Sequence, residues 1–185
     1  MLNTLKTIAP IANVINGKMN STITLNGSLT QDMIPDVKSI SGDLMGNILQ
    51  GSLNKNKSAL LTELDNKATF LDLKDINLKD VKAVVSFKNG KVAVKPFTLK
   101  HKDISVQIAG SHGFDQNMDY NLKFDVPVKY LGNDVNKLLA KITPSDAKKI
   151  ESVPVNALLV GNFKSPKVTT DVQQASKNVA SKLIQ

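Results

Sequence analysis

Cysteine, arginine and tryptophan are all missing from this 185-residue sequence, and each absence removes a class of function. Without cysteine there is no disulfide, no thiolate nucleophile and no cysteine-based metal site, a composition compatible with an oxidising compartment. Nucleic-acid readers lean on arginine for bidentate contacts to bases and phosphates and on aromatic rings for stacking. Here all 24 basic side chains are lysines and aromatics make up only 4%. The net charge of +8 therefore reads as a solvated basic surface, since the lysines are spread along the chain, and nucleic acid is not expected as a partner. A weak attraction to anionic lipid surfaces remains. No apolar run approaches the ~20 residues that cross a bilayer. The start Met1-Leu2-Asn3-Thr4 lacks the pattern of a secretory signal, so the chain is expected to be either cytoplasmic or a piece of a longer exported protein.

What is present is mostly alternation. Leu2, Leu5, Ile8, Ala12 and Ile15 have helical spacing, interrupted by Pro10 and stopped at Asn16-Gly17, which predicts one short or kinked helix. From Lys18 the period changes to two, with Ile23, Leu25, Gly27 and Leu29 on one face, and a second strand-like stretch runs from Val37 to Leu53. Ser58 is placed to cap a helix that turns Leu60, Leu61, Leu64 and Ala68 inward. Ala83, Val85 and Phe87 lead into Asn89-Gly90, and Val92, Val94 and Phe97 lead away. That is a hairpin signal, because both turn positions tolerate positive φ.

The most regular alternation follows, with Ile104, Val106, Ile108, Gly110, His112 and Phe114 on one face, mirrored by Tyr120, Leu122, Phe124, Val126 and Val128. It predicts two long antiparallel strands, greasy on one side and polar on the other. Helices return at Val135, Leu138, Leu139 and Ile142 and again after Thr143-Pro144, then a strand over Ala157 to Phe163 and an amphipathic helix through Val172, Ala175, Val179 and Leu183. The expected fold is α+β: a long curved antiparallel sheet, a meander that is groove-like or partly closed, capped by several short helices. It divides into a helix–strand part over 1–70, a main meander over 75–130, a helical insert over 133–152 and a last strand with C-terminal helix over 155–185. Four segments of the type Leu-Asn-Gly-Ser-Leu, at Gly27, Gly51, Gly110 and Gly161, form a weak irregular repeat that suggests sheet curvature.

Chemistry is thin. His112 falls on an apolar face and reads as a buried imidazole, whereas His101 lies in the turn Lys100-His101-Lys102-Asp103 and is expected to be exposed. Only two glutamates, Glu63 and Glu151, occur, and the aspartates sit mostly in turns and caps. There is no phosphate loop, no nucleophile elbow and no metal-ligand spacing. An enzyme, a metal site and a cofactor are therefore not expected.

The run Asn89-Gly90-Lys91-Val92-Ala93-Val94-Lys95-Pro96-Phe97, then Gly110-Ser111-His112-Gly113-Phe114-Asp115-Gln116, Asp119-Tyr120 and Val126-Pro127-Val128-Lys129-Tyr130-Leu131-Gly132 resembles the C-terminal region of bacterial AsmA-like proteins, relatives of the TamB-like envelope proteins. Ile34-Pro35-Asp36, Ser39-Ile40-Ser41-Gly42 and Gly161-Asn162-Phe163-Lys164-Ser165-Pro166-Lys167-Val168 extend the resemblance over most of the chain. The lysine- and asparagine-rich style resembles that of an AT-rich genome of the Bacteroidetes type. The resemblance implies a periplasmic module of a longer protein anchored in the inner membrane, involved in outer-membrane biogenesis and phospholipid movement along an apolar groove, with no catalytic residues. On this reading Ile104, Val106, Ile108, Tyr120, Leu122, Phe124 and Val126 are the candidate lipid-binding lining, and phospholipid or another envelope lipid is the expected partner, alongside envelope proteins. A scaffold with a closed core that pairs through a sheet edge is the second expectation.

Overall fold

The computed structural model describes residues 14–73, 76–141 and 151–184. Eight strands run β1 (Ile15–Asn26), β2 (Ser41–Leu53), β3 (Asn77–Lys88), β4 (Lys91–His101), β5 (Ile104–Gly113), β6 (Asn117–Pro127), β7 (Ser152–Asn162) and β8 (Ser165–Thr170). They form one antiparallel sheet in strictly sequential order, β1 to β8. The sheet is open and curved, and among the described residues three short helices accompany it, α1 (Ala59–Lys67), α2 (Asn133–Leu139) and α3 (Val172–Ile184). The expected α+β meander is therefore the observed architecture. The strands of 1–70 and 155–185 join those of 75–130 in a single sheet.

The registers align side chains into rows that cross the sheet at right angles to the strands. One row reads Leu25, Gly42, Phe87, Val92, His112, Met118, Gly161 and Pro166, and the next reads Ile23, Leu44, Val85, Val94, Gly110, Tyr120, Leu159 and Val168. Both lie on the same face, because opposed residues in an antiparallel ladder point the same way. This is the concave, apolar face. The opposite face carries Thr22, Asp43, Ser86, Gln107, Lys123 and Asn156.

Several local expectations meet their residues. Asn89 and Gly90 both have positive φ, at 51° and 72°, in the tight turn between β3 and β4. Ser58 caps α1, its Oγ accepting from the Leu61 N–H at 3.3 Å. Gly110 has φ 155°, and a Cβ there would lie 2.4 Å from the Asp119 carbonyl oxygen, so the close pairing with β6 demands glycine.

Other boundaries differ. β1 already runs at Ile15 and ends at Asn26, so Gly27 lies beyond it, with Leu29 making only an isolated bridge to Pro35. Val37–Ser39 is a 3-10 turn whose first residues are held by Asp36, which accepts from the Lys38 N–H, so β2 starts only at Ser41. The alternation in the sequence does not mark β8: its six residues contain one buried apolar side chain, Val168, too short a pattern to stand out. The predicted N-terminal helix, apart from its end at Ile15, and the helix after Thr143-Pro144 lie outside the described residues.

The core sits on the concave face over β5–β8. Leu60, Leu61 and Leu64 of α1, Phe70 and Leu71 after it, Val135 of α2 and Val179 of α3 are buried with Ile104, Val106, Leu122, Phe124, Val155 and Val168 in one cluster. Burying each such side chain contributes roughly 1.5–3 kcal/mol. A small second cluster, Ile40, Phe87 and Val92 with Val37, Leu44, Val85 and Phe114, closes the hairpin end of β2–β4. The main cluster also takes in Leu78 of β3, with Ile15, Ile48, Leu53 and Val81 packed against it, so on β1–β3 the bare part of the face is the stretch around Met19, Ile23 and Leu25.

Candidate functional site

The seven residues expected to line a groove do share the concave face. Ile104, Val106, Leu122, Phe124 and Val126 are buried, and Ile108 and Tyr120 are half-buried. Their cover is the protein itself: Phe70, after α1, meets Phe124 edge to face, with ring centroids 5.3 Å apart, and Leu60, Leu61, Leu64 and Val179 belong to the same cluster. A ligand reaches these residues only if the helices move.

The same face is bare farther along the meander. In β1, Met19 is 55% exposed, Ile23 42% and Leu25 42%, while Leu44 and Ile48 of β2 and Ala83 and Val85 of β3 are half-buried. Their registers build a defined relief. Ser21, Gly46 and Ala83 stand in one row, and all three are small. On one side runs the bulkier row Ile23, Leu44, Val85, and on the other Met19, Ile48, Val81. The result is a shallow trough partly filled by its own walls, since Leu44 Cδ2 and Met19 Sδ stand 3.5 and 3.7 Å from where a Cβ on Gly46 would lie. It crosses three strands, about 10 Å at ordinary strand spacing. Lys88 and Lys91, both exposed, face each other at the β3–β4 hairpin tip, on the face opposite the trough.

The sequence contained part of this patch, since Ile23, Leu25, Ala83 and Val85 stand in alternating stretches. It gave no means of ranking them above Ile104 or Leu122, because alternation marks the greasy side and not its cover. Met19 shares the phase of Ile23, which is the signal that identifies it.

The polar groups elsewhere are engaged in structure. His112 is buried as expected, with Nδ1 2.9 Å from the Tyr120 hydroxyl and its ring set edge to face on Phe163 at 5.2 Å. Burial pushes the Tyr120 phenol well above its ordinary range. His101, expected in solvent, is instead buried: it is the last residue of β4, opposite Ile104 on the concave face, and the turn proper is Lys102-Asp103. Its Nε2 has no hydrogen-bond partner.

The carboxylates serve as braces. Lys55 donates to Asp65, which also accepts from the Leu73 N–H at 3.0 Å, and the Lys55 hydrogen bond leads in holding that carboxyl below its usual range, against the opposing effect of burial. Asp103 is lowered chiefly by its hydrogen bond from Lys129, and Asp115 by the backbone and side-chain N–H groups of Asn117. Among the described residues no three His, Asp or Glu side chains gather within reach of a metal ion, and no helix is long and apolar enough to cross a membrane. No family model, curated protein or solved structure matches the chain.

Proposed function

We propose that this chain is a non-enzymatic envelope module that seats the acyl chains of a phospholipid, or of another envelope lipid, on the uncovered concave face of β1–β3. The observation that carries the reading is the exposure of Met19, Ile23 and Leu25 on the same face that is tightly covered over β5–β8. A sheet buries its apolar face against helices, a second sheet or a ligand, and over Met19, Ile23 and Leu25 the described residues supply neither of the first two, while Ile48 and Val81 already pack against the main core. The trough above Ser21, Gly46 and Ala83 admits an acyl chain once the flexible Met19 side chain, which leans over Gly46, turns outward. Each methylene lodged there contributes roughly 0.8 kcal/mol. The resemblance to AsmA-like proteins supports the same reading, on which the module would belong to the periplasm as part of a longer protein anchored in the inner membrane and serving outer-membrane biogenesis.

The test is native mass spectrometry of the purified chain titrated with phosphatidylglycerol, alongside Ala83→Leu, which fills the trough while keeping it apolar, and Ile23→Asp, which charges its wall. One-to-one lipid adducts that disappear in both variants, with far-UV circular dichroism unchanged, support the site. Binding that survives in both sinks it. Leu122→Asp is not informative here, because Leu122 is buried in the core and a buried, unpaired carboxylate is expected to unfold the chain.

A further inference from the structure

The two borders of the sheet are unlike. At one border β8 is only six residues long, contains Pro166, and is flanked by α1, whose Lys67 carbonyl accepts a hydrogen bond from Thr170 Oγ1 at 3.4 Å. Shortness, proline and a covering helix are the usual devices that stop an edge from pairing. At the other border β1 shows none of them among the described residues, its one irregularity being a slip in its pairing with β2 between Lys18 and Met19. It is twelve residues long, every residue after Ile15 is exposed, and its sequence Ile-Asn-Gly-Lys-Met-Asn-Ser-Thr-Ile-Thr-Leu-Asn holds one charge and no proline. Alternate residues of such an edge direct N–H and C=O groups outward, about six residues' worth here.

We propose that β1 pairs with β1 of a second copy, antiparallel about a two-fold axis through Ser21, so that two eight-stranded sheets become one of sixteen. The inference rests on the edge and not on lipid binding. In this register Ser21 meets itself, Ile23 meets Met19, and Leu25 meets Gly17 on the concave face. On the convex face Thr22 meets Asn20 and Thr24 meets Lys18. Apolar residues thus oppose apolar or small ones, and Lys18, the single charge of the strand, opposes a threonine rather than its own copy. Like charges directly opposed are unfavourable, and this pairing avoids them. Because the β8 border is guarded, the contact is isologous and closed: it stops at two copies instead of propagating into a filament. The exposed apolar side chains of the two β1 strands cover one another in part, and the concave trough continues from one copy into the next.

The absence of native cysteine makes the register directly measurable. In Ser21→Cys the two Cα atoms stand about 4.5–5.5 Å apart across the axis, within disulfide range. In Thr24→Cys they are displaced by six residues, roughly 20 Å along the strand. Under mild oxidation Ser21→Cys is expected to give a species of twice the 20.0 kDa chain mass, and Thr24→Cys is not. Sedimentation velocity over a concentration series, with lipid removed, supplies a second readout that leaves the trough intact. Thr24→Lys puts two like-charge pairs across the axis and should weaken the dimer about tenfold, whereas Thr24→Asp makes two opposite-charge pairs and should tighten it by a similar factor. A chain that stays monomeric throughout the series, a dimer indifferent to both changes at 24, or equal cross-linking at 21 and 24 overturns the proposal. None of these results bears on the phosphatidylglycerol titration.

Discussion

His101 and His112 sit on the same apolar face but differ in what surrounds them. The Tyr120 hydroxyl meets His112 Nδ1, while His101 Nε2 is buried without a partner. Removing an unsatisfied buried polar group relieves its desolvation penalty. His101→Leu should therefore leave stability unchanged or raise it by up to about 1 kcal/mol in urea unfolding. Tyr120→Phe removes a satisfied bond and should cost about 1 kcal/mol at neutral pH. It should also change the alkaline limb. The folded-state phenol is raised above its unfolded value near 10, so the stability from keeping it neutral is complete below about pH 10 and declines as pH rises beyond that. A pH series of chemical denaturation should show this decline in the parent chain and a flatter limb in Tyr120→Phe. Asp65 acts with the opposite sign: its lowered carboxyl contributes stability above about pH 4 that is lost on acidification, and Asp65→Asn should flatten the acid limb. The burial of His112 was legible from its phase in an apolar alternation. That of His101 was not, because whether a residue ends a strand or begins a turn depends on where the partner strand stops.

Among the elements, those with a strong local signal were readable and those defined by a neighbour were not. The Asn89-Gly90 turn, the Ser58 cap and the paired alternations of β5 and β6 each contain their own cause. Ser58→Ala should cost about 1 kcal/mol, read as a lowered urea midpoint with an unchanged slope. β8 lacks such a cause, since Val168 is its one buried side chain and pairing with β7 supplies the rest. The same limit applies to the candidate site. Both halves of the concave face alternate equally well, and the difference between them is made by α1 and α3, whose docking place no period in the strands reveals. Gly110 is the point where an element tolerates least change. Alanine there combines an unfavourable φ with a Cβ 2.4 Å from a carbonyl oxygen, and Gly110→Ala should destabilise by about 3 kcal/mol or more.

At the scale of the whole molecule, strictly sequential pairing means that each strand needs only the one before it, while stability is concentrated where helices cover the sheet. Amide exchange followed by mass spectrometry should find β6 and β7 the slowest and β1 the fastest, because exposed, singly paired backbone opens most readily. Uniform protection across the eight strands would contradict this gradient. The packing of α1 departs from the sequential order. α1 is made early, between β2 and β3, yet it packs on β8, and the hydrogen bond from Thr170 to the Lys67 carbonyl spans 103 positions. Closing so long a loop is slow relative to the neighbour-by-neighbour ladder. A growing chain on the ribosome can therefore add strand to strand as it emerges, while Leu60, Leu61 and Leu64 wait without their final cover until the last strand arrives. The meander sets its order of assembly from the front, and its core is sealed from the back.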